Sequence, residues 1–211
     1  MNKEQVLRRP VQVVRSVPFY VSMPFRPTGE TITVLYHGDI HYTRGLHKAV
    51  KSMAMWRPEF RLLIRGNGDA GYIERLRELA REHGVADRLT IEPAVPFDRI
   101  VPEANKADIG YFVHKDVSPQ KRFVLPNKYF EYIMAGLALC VSDLPEMARL
   151  VHQYGFGKLV PEYDEAVIAN VINSFDRPTI DAMKQRSIEA AKELNWEVEQ
   201  VRMLGLYNEL L

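Results

Sequence analysis

This sequence predicts an α/β fold, a Rossmann-like parallel sheet with helices on both faces and a helical C-terminal tail, on two observations. From residue 31 onward, short β-rich apolar runs alternate with stretches of helical periodicity, the arrangement that places parallel strands between crossover helices. From Glu165 to Leu211 the helical periodicity then continues with no further strand. The size agrees: 211 residues, 46% hydrophobic and 26% charged, suit one globular domain with a substantial core, and two domains of about 100 residues would also fit.

Residues 1 to 30 hold Val11-Gln12-Val13-Val14 and then Pro18, Pro24 and Pro27, a proline spacing that forbids a helix and leaves a short strand followed by an extended linker. The strands expected after it are Thr31–Tyr36, Phe60–Arg65, Arg88–Ile91, Ile109–Val113, Ala138–Val141 and a short one near Lys158–Val160. Helices are expected over residues 44–56, 70–84, 97–104, 127–135 and 146–153. The tail divides into three helical segments, broken at Asp176-Arg177-Pro178 and at Leu194-Asn195. A sheet of this kind takes its ligands at the carboxyl edge, where loops leave the strands.

Composition narrows the function. A net charge of +1 and the lack of any long Lys/Arg run give no case for a nucleic-acid surface, so a bound nucleotide would be a small molecule. The lone Cys140 rules out a disulfide framework and a Cys-rich metal site, and it reads as a small core residue. No apolar stretch approaches a membrane span and residues 1–9 are polar, so a cytoplasmic protein is expected. None of the six histidines, His37, His41, His47, His83, His114 and His152, has metal-ligand spacing, and His37 and His41 read as loop residues. Trp56 and Trp196 fall in helical segments, as packing.

The stretch from Leu125 to Gly136 carries the function. Pro126 opens a helix at the first position, where its missing N–H costs nothing. Leu125 is no capping residue, so the amides of Asn127, Lys128 and Tyr129 are left to meet an anion. Glu131, one turn in, suits two vicinal hydroxyls. A plain amphipathic helix with a weak Lys128–Glu131 surface pair, worth about 0.2–0.5 kcal/mol, accounts for the same residues.

Pro126-Asn127-Lys128-Tyr129-Phe130-Glu131-Tyr132-Ile133-Met134-Ala135-Gly136, with Ser142-Asp143-Leu144-Pro145-Glu146 after it, resembles the donor-binding motif of the group 1, or family 4, glycosyltransferases of the GT-B fold. The resemblance implies the C-terminal half of that fold, residues 31–211 as the donor-binding domain and an absent N-terminal acceptor domain, with residues 1–30 as the join. It implies a retaining, metal-independent transferase with a UDP-, GDP- or ADP-sugar as substrate and no separate cofactor, in which Glu131 holds the ribose. The Asp-x-Asp pair of metal-dependent glycosyltransferases does not occur.

Four loops bear on this resemblance. In the first, His37 to Gly45, the family's Gly-Arg-Leu…Lys-Gly pattern is matched by Gly38 and Gly45, with Arg44 for the lysine and Asp39 where arginine is commonest. Thr43 is expected as an N-cap that lets Arg44 reach a diphosphate. In the second, Gly66-Asn67-Gly68-Asp69-Ala70-Gly71, with Glu92 one strand later, is a literal G-x-G-x-x-G. It supports a rival, dehydrogenase-like dinucleotide domain, although it follows the second strand where that fingerprint follows the first. In the family, such turns lie near the donor diphosphate. The third, Glu92-Pro93-Ala94-Val95-Pro96, resembles the segment whose backbone pairs with the base. The fourth offers His114, Lys115, Ser118, Lys121 and Arg122 beside the sugar. The family's first glutamate falls on Phe123, so only one of the usual pair is kept. A non-catalytic module docking on a partner chain is the third alternative.

Overall fold

The structure, a computed structural model, describes residues 12–115, 118 and 122–208. Six strands form one parallel sheet among the described residues: β1 (Ile32–His37), β2 (Phe60–Arg65), β3 (Leu89–Glu92), β4 (Ile109–Phe112), β5 (Ala138–Ser142) and β6 (Gly157–Val160), in the order β3-β2-β1-β4-β5-β6. β4 and β5 are buried at every residue, which is why they read as unbroken apolar runs, whereas the edge strand β3 is only half-buried. All six expected strands are present, each within a residue of its expected ends.

The helices are α1 (Leu46–Ser52), α2 (Ala70–Glu82), α3 (Ile100–Ala104), α4 (Asn127–Met134), α5 (Pro145–Tyr154), α6 (Glu165–Asn173), α7 (Arg177–Ala191) and α8 (Trp196–Asn208). Contacts of α1 with α2 and α6 cover one face, and those of α4 with α3 and α7 cover the other. The two breaks expected in the tail fall where side chains cap helices. Asp176 Oδ1 accepts from the Thr179 amide at 2.8 Å, and Asn195 Oδ1 accepts from the Val198 amide at 3.0 Å.

Three local expectations change. The helix expected over 44–56 is a 3-10 turn (Tyr42–Arg44), α1 and a second 3-10 turn (Met53–Met55), because Gly45 between the first two is left-handed at φ 72°. Thr43 is therefore not an N-cap: its amide donates to the ring nitrogen of His41, which caps the turn. The segment expected over 97–104 likewise opens as a 3-10 turn (Phe97–Arg99) before α3.

The expected strand at Val11–Val14 does not form among residues 12–14; Val11 lies outside the described residues. The extended segment that follows bonds in part to the C-terminal helices. Arg15 donates through N and Nη1 to the buried Glu199 carboxylate at 3.0 and 2.9 Å, and the Thr28 amide and hydroxyl donate to Asp181 at 2.8 and 2.6 Å. At the amino edge of the sheet, Lys184 of α7 donates to Asp108 at 2.9 Å, and the other Asp108 oxygen accepts from the Thr33 amide at 2.9 Å. Both charges are buried and both are satisfied.

Candidate functional site

Register builds the floor of the site. His37, Arg65 and Glu92 are Cα partners at the carboxyl ends of β1, β2 and β3, so their side chains leave the sheet as one row on the face covered by α3 and α4. His37 is thus the last residue of a strand, not the loop residue expected, whereas His41 does lie in the loop. The His37 amide donates to Tyr132 Oη at 3.1 Å, and Tyr132 lies flat on β4 because Gly110 has no side chain to obstruct it. The imidazole Nε2 then meets Glu131 Oε2 of α4 at 2.6 Å. Glu131 is held facing the strand ends, and its other oxygen makes no hydrogen bond with a described residue.

A cavity of about 320 Å³ opens beside this pair, lined by His37, Gly38, Arg65, Ala94, Val95, Ile100, Pro126, Asn127, Lys128 and Glu131. It lies where the strand order reverses, between β1 and β4, and extends toward β3. Six of the ten residues named from sequence as binding or catalytic therefore line one cavity: Gly38, Val95, Pro126, Asn127, Lys128 and Glu131.

The start of α4 departs from expectation by one position. Pro126 is the N-cap, with extended backbone, and Asn127 is the first helical residue. The Tyr129 amide is not open to an anion, since it donates to Pro126 O at 2.9 Å. The amides of Asn127 and Lys128 make no hydrogen bond with a described residue, and no side chain caps the helix.

Lys128 crosses the sheet edge above Gly38, whose missing side chain is what admits it, and its ammonium lies 3.9 Å from the Tyr36 ring centroid and 5.4 Å from that of Phe112. It has no carboxylate within ion-pair distance among the described residues. Burial, and after it the nearby Arg44 charge, depress its pKa to about 7, against the opposing pull of Glu131 and Asp39. Arg44 is half exposed and pairs with Asp39 at 3.4 Å. It lines a second, smaller cavity of about 160 Å³ with Thr43, Phe112, His114 and Val124.

The remaining sequence-named positions lie elsewhere. Gly45 sits under the Tyr163 hydroxyl, with no room for a side chain. Gly66 and Gly68 do not line the main cavity. A side-chain carbon on either would overlap the carbonyl of Gly38 or Ile40, so these glycines let the loops after β1 and β2 pack, joined by the bridge Ile40–Gly68. The N-terminus of α2 is closed by its own chain, since Asp69 Oδ1 accepts from the Tyr72 amide at 2.6 Å. Glu92, the acid a dinucleotide fingerprint would turn to a ribose, is tied to Arg65. That geometry argues against the dinucleotide alternative. Phe123 is exposed, His114 and Lys115 border a third cavity of about 470 Å³, Arg122 donates from its amide to Ser118 O at 2.9 Å, and Lys121 lies outside the described residues. Cys140 is a buried residue of β5 whose thiol burial pushes up to about 12, as a core position requires.

Sequence reasoning missed Arg65 and Ile100 and misread His37. The only signal available was strand register, which would have set His37 and Arg65 side by side.

The family model for group 1 glycosyl transferases matches residues 31–175. A D-inositol 3-phosphate glycosyltransferase of Acidothermus cellulolyticus is 26% identical over 189 residues, which is 84% of this chain and 41% of that protein. Among solved structures, the sucrose-phosphate synthase of Thermosynechococcus elongatus superposes with a TM-score of 0.70 at 21% identity, over 92% of this chain and 49% of that one. Anabaena HepE, in complex with UDP and glucose, superposes at 0.69 and 16% identity, over 85% of this chain and 49% of that one. The catalytic domain of the Helicobacter pylori cholesterol-alpha-glucosyltransferase superposes at 0.60 and 13% identity, over 77% of this chain and 98% of that one. The chain spans about half the length, or less, of the curated relative and of the first two structures.

Proposed function

Since this chain belongs to the group 1 glycosyltransferases, we propose that it supplies the donor-binding half of an enzyme that moves a sugar from a nucleoside diphosphate sugar to an acceptor, with retention at the anomeric carbon. The observation that carries the reading is the convergence at the switch point of two helix amides and an ammonium, none with a polar partner among the described residues, and a carboxylate held by a histidine. The amides of Asn127 and Lys128 and the Lys128 ammonium receive the diphosphate, with Arg44 adding charge from the neighbouring cavity. Glu131 accepts from the two ribose hydroxyls, oriented by His37. The base extends toward Val95, whose backbone groups make no hydrogen bond with a described residue.

In the reaction the bond from the anomeric carbon to the β-phosphate oxygen breaks, the acceptor oxygen bonds to that carbon and the acceptor proton is released. The negative charge that develops on the departing diphosphate falls where Lys128 and the α4 amides already point, so they stabilise it without reorganising. These groups supply the neutralising charge, and donor binding is therefore proposed not to need a metal ion. The acceptor is held by a further domain, within a longer polypeptide or on a separate chain, and the reaction is placed in the cytoplasm.

Calorimetry with nucleoside diphosphates tests the reading. One of UDP, GDP or ADP is expected to bind, in EDTA as well as without it, and nicotinamide dinucleotide is expected not to. Sugar transfer to an acceptor by these 211 residues alone would contradict the proposed division of labour.

A further inference from the structure

The row at the strand ends contains one cation that the proposed chemistry leaves unused. Arg65 is buried, at 8% exposure, yet lines the cavity at the end away from Lys128, beside Ala94, Val95 and Ile100. Its Nε and Nη2 both donate to a single oxygen of Glu92, at 3.1 and 2.9 Å. Of the five N–H donors of a guanidinium, two are spent there. The end formed by Nη1 and the second N–H of Nη2 makes no hydrogen bond with a described residue. Glu92, its register partner on β3, therefore fixes the plane of the guanidinium and leaves a rigid, donor-only edge at the base end of the site.

Resting on the donor-site reading above, we propose that Arg65 sets base preference, selecting a nucleobase that carries a carbonyl oxygen where its counterpart carries an amino group. Uracil O4 and guanine or hypoxanthine O6 accept from that edge. Cytosine and adenine bring an N–H2 to the same place and set donor against donor, leaving buried N–H groups without partners. The guanidinium cannot deprotonate to adapt, and its Glu92 tether stops it from turning aside.

Two pairs of ligands isolate the effect, UDP against CDP and IDP against ADP, because each pair differs only in an oxo-to-amino exchange and the adjoining ring N–H. Titration calorimetry on the whole chain is expected to show the oxo member of each pair binding about tenfold tighter. Arg65→Met is expected to bring each pair within about twofold while leaving affinity for inorganic pyrophosphate unchanged. Glu92 is half exposed and remains hydrated in that variant. Arg65→Lys, which keeps the cation and loses the fork, is expected to retain only part of the preference, and it serves if Arg65→Met does not fold. Equal affinities within the pairs in the wild type, as a guanidinium merely stacked on the base would give, overturn the inference alone. So does a preference that survives Arg65→Met. No binding by any of the four nucleotides, nor by GDP, overturns the donor-site reading and this inference with it.

Discussion

Two lysines, one at each edge of the same sheet, show how the same side chain serves the fold in one place and a ligand in another. Lys184, at the amino edge, is 2% exposed and sits 2.9 Å from Asp108, which also accepts from the Thr33 amide. Lys128, at the carboxyl edge, rests on aromatic faces with no carboxylate in reach among the described residues, and its pKa is depressed to about 7. A buried cation whose counter-charge is built into the chain is finished by folding. One without a built-in counter-charge is a cost to folding that a bound anion relieves.

The largest expected effect breaks the amino-edge pair. Lys184→Met leaves Asp108 as an unpaired buried charge and is expected to cost about 3–5 kcal/mol in urea unfolding. Lys128→Met should do the opposite at the other edge, with stability unchanged or raised while nucleoside diphosphate affinity falls tenfold or more, the loss of about 1.5–3 kcal/mol of charged hydrogen bonding. If both variants lose stability alike, the contrast fails and Lys128 is a structural residue.

pH sharpens the same contrast. Because folding lowers the Lys128 pKa from 10.5 to about 7, the unfolded chain holds a proton between those values that the folded chain has released. The stability cost of Lys128 is thus fully present below pH 7 and is relieved as pH rises through that window. A bound diphosphate favours the ammonium and pulls the proton back, so affinity is expected to decline as pH rises above 7, with proton uptake visible in buffers of different ionisation heat. Measurement between pH 7 and 9 stays above the range where a terminal phosphate titrates, near pH 6. A flat profile in the wild type, or a slope unchanged in Lys128→Met, would assign the charge elsewhere.

Glu131 gives a smaller effect with a sharper readout. If its carboxylate accepts from the ribose, Glu131→Gln is expected to weaken nucleoside diphosphate binding by about 1 kcal/mol. More tellingly, the penalty for a 2′,3′-dideoxy ribose, present in the wild type, should vanish in Glu131→Ala, which leaves no acceptor there. A variant that still discriminates would show that His37 and Glu131 only brace α4 against β1.

The fold was far more legible in the sequence than this contrast. Apolar runs such as Ala138–Val141 report burial directly, and Asp176 and Asn195 mark helix starts through their own side chains, so strands and tail helices could be placed one residue at a time. The short run Gln12-Val13-Val14 misled because a strand needs a neighbouring strand, and residues 12–14 pair with none among the described residues; the chain just after them, at Arg15, bonds to the Glu199 helix instead. For the site, Pro126 to Glu131 were legible as a local string. The His37–Glu131 contact joins residues 94 positions apart, and Arg65 faces the cavity only because β2 and β1 pair in one particular register. Nothing local distinguishes Lys128 from Lys184. Whether a lysine finds a carboxylate depends on which strand end lies under its helix.

Arg44 carries the smallest effect and tests the contrast at its boundary. It has a counter-charge, Asp39, but the pair is solvent-exposed at 3.4 Å, where water screens it and its contribution to folding is slight. Arg44→Ala should therefore shift stability by no more than about 0.5 kcal/mol. Besides adding charge from the neighbouring cavity, Arg44 acts on the site through Lys128, because its charge helps depress that ammonium's pKa. Removing it is expected to move the fall in diphosphate affinity to higher pH while weakening affinity at pH 7 only a few-fold. If Arg44 instead holds the diphosphate directly and dominates its binding, the loss at pH 7 will match that of Lys128→Met, and the anion will have to be placed in the smaller cavity beside Phe112 and His114.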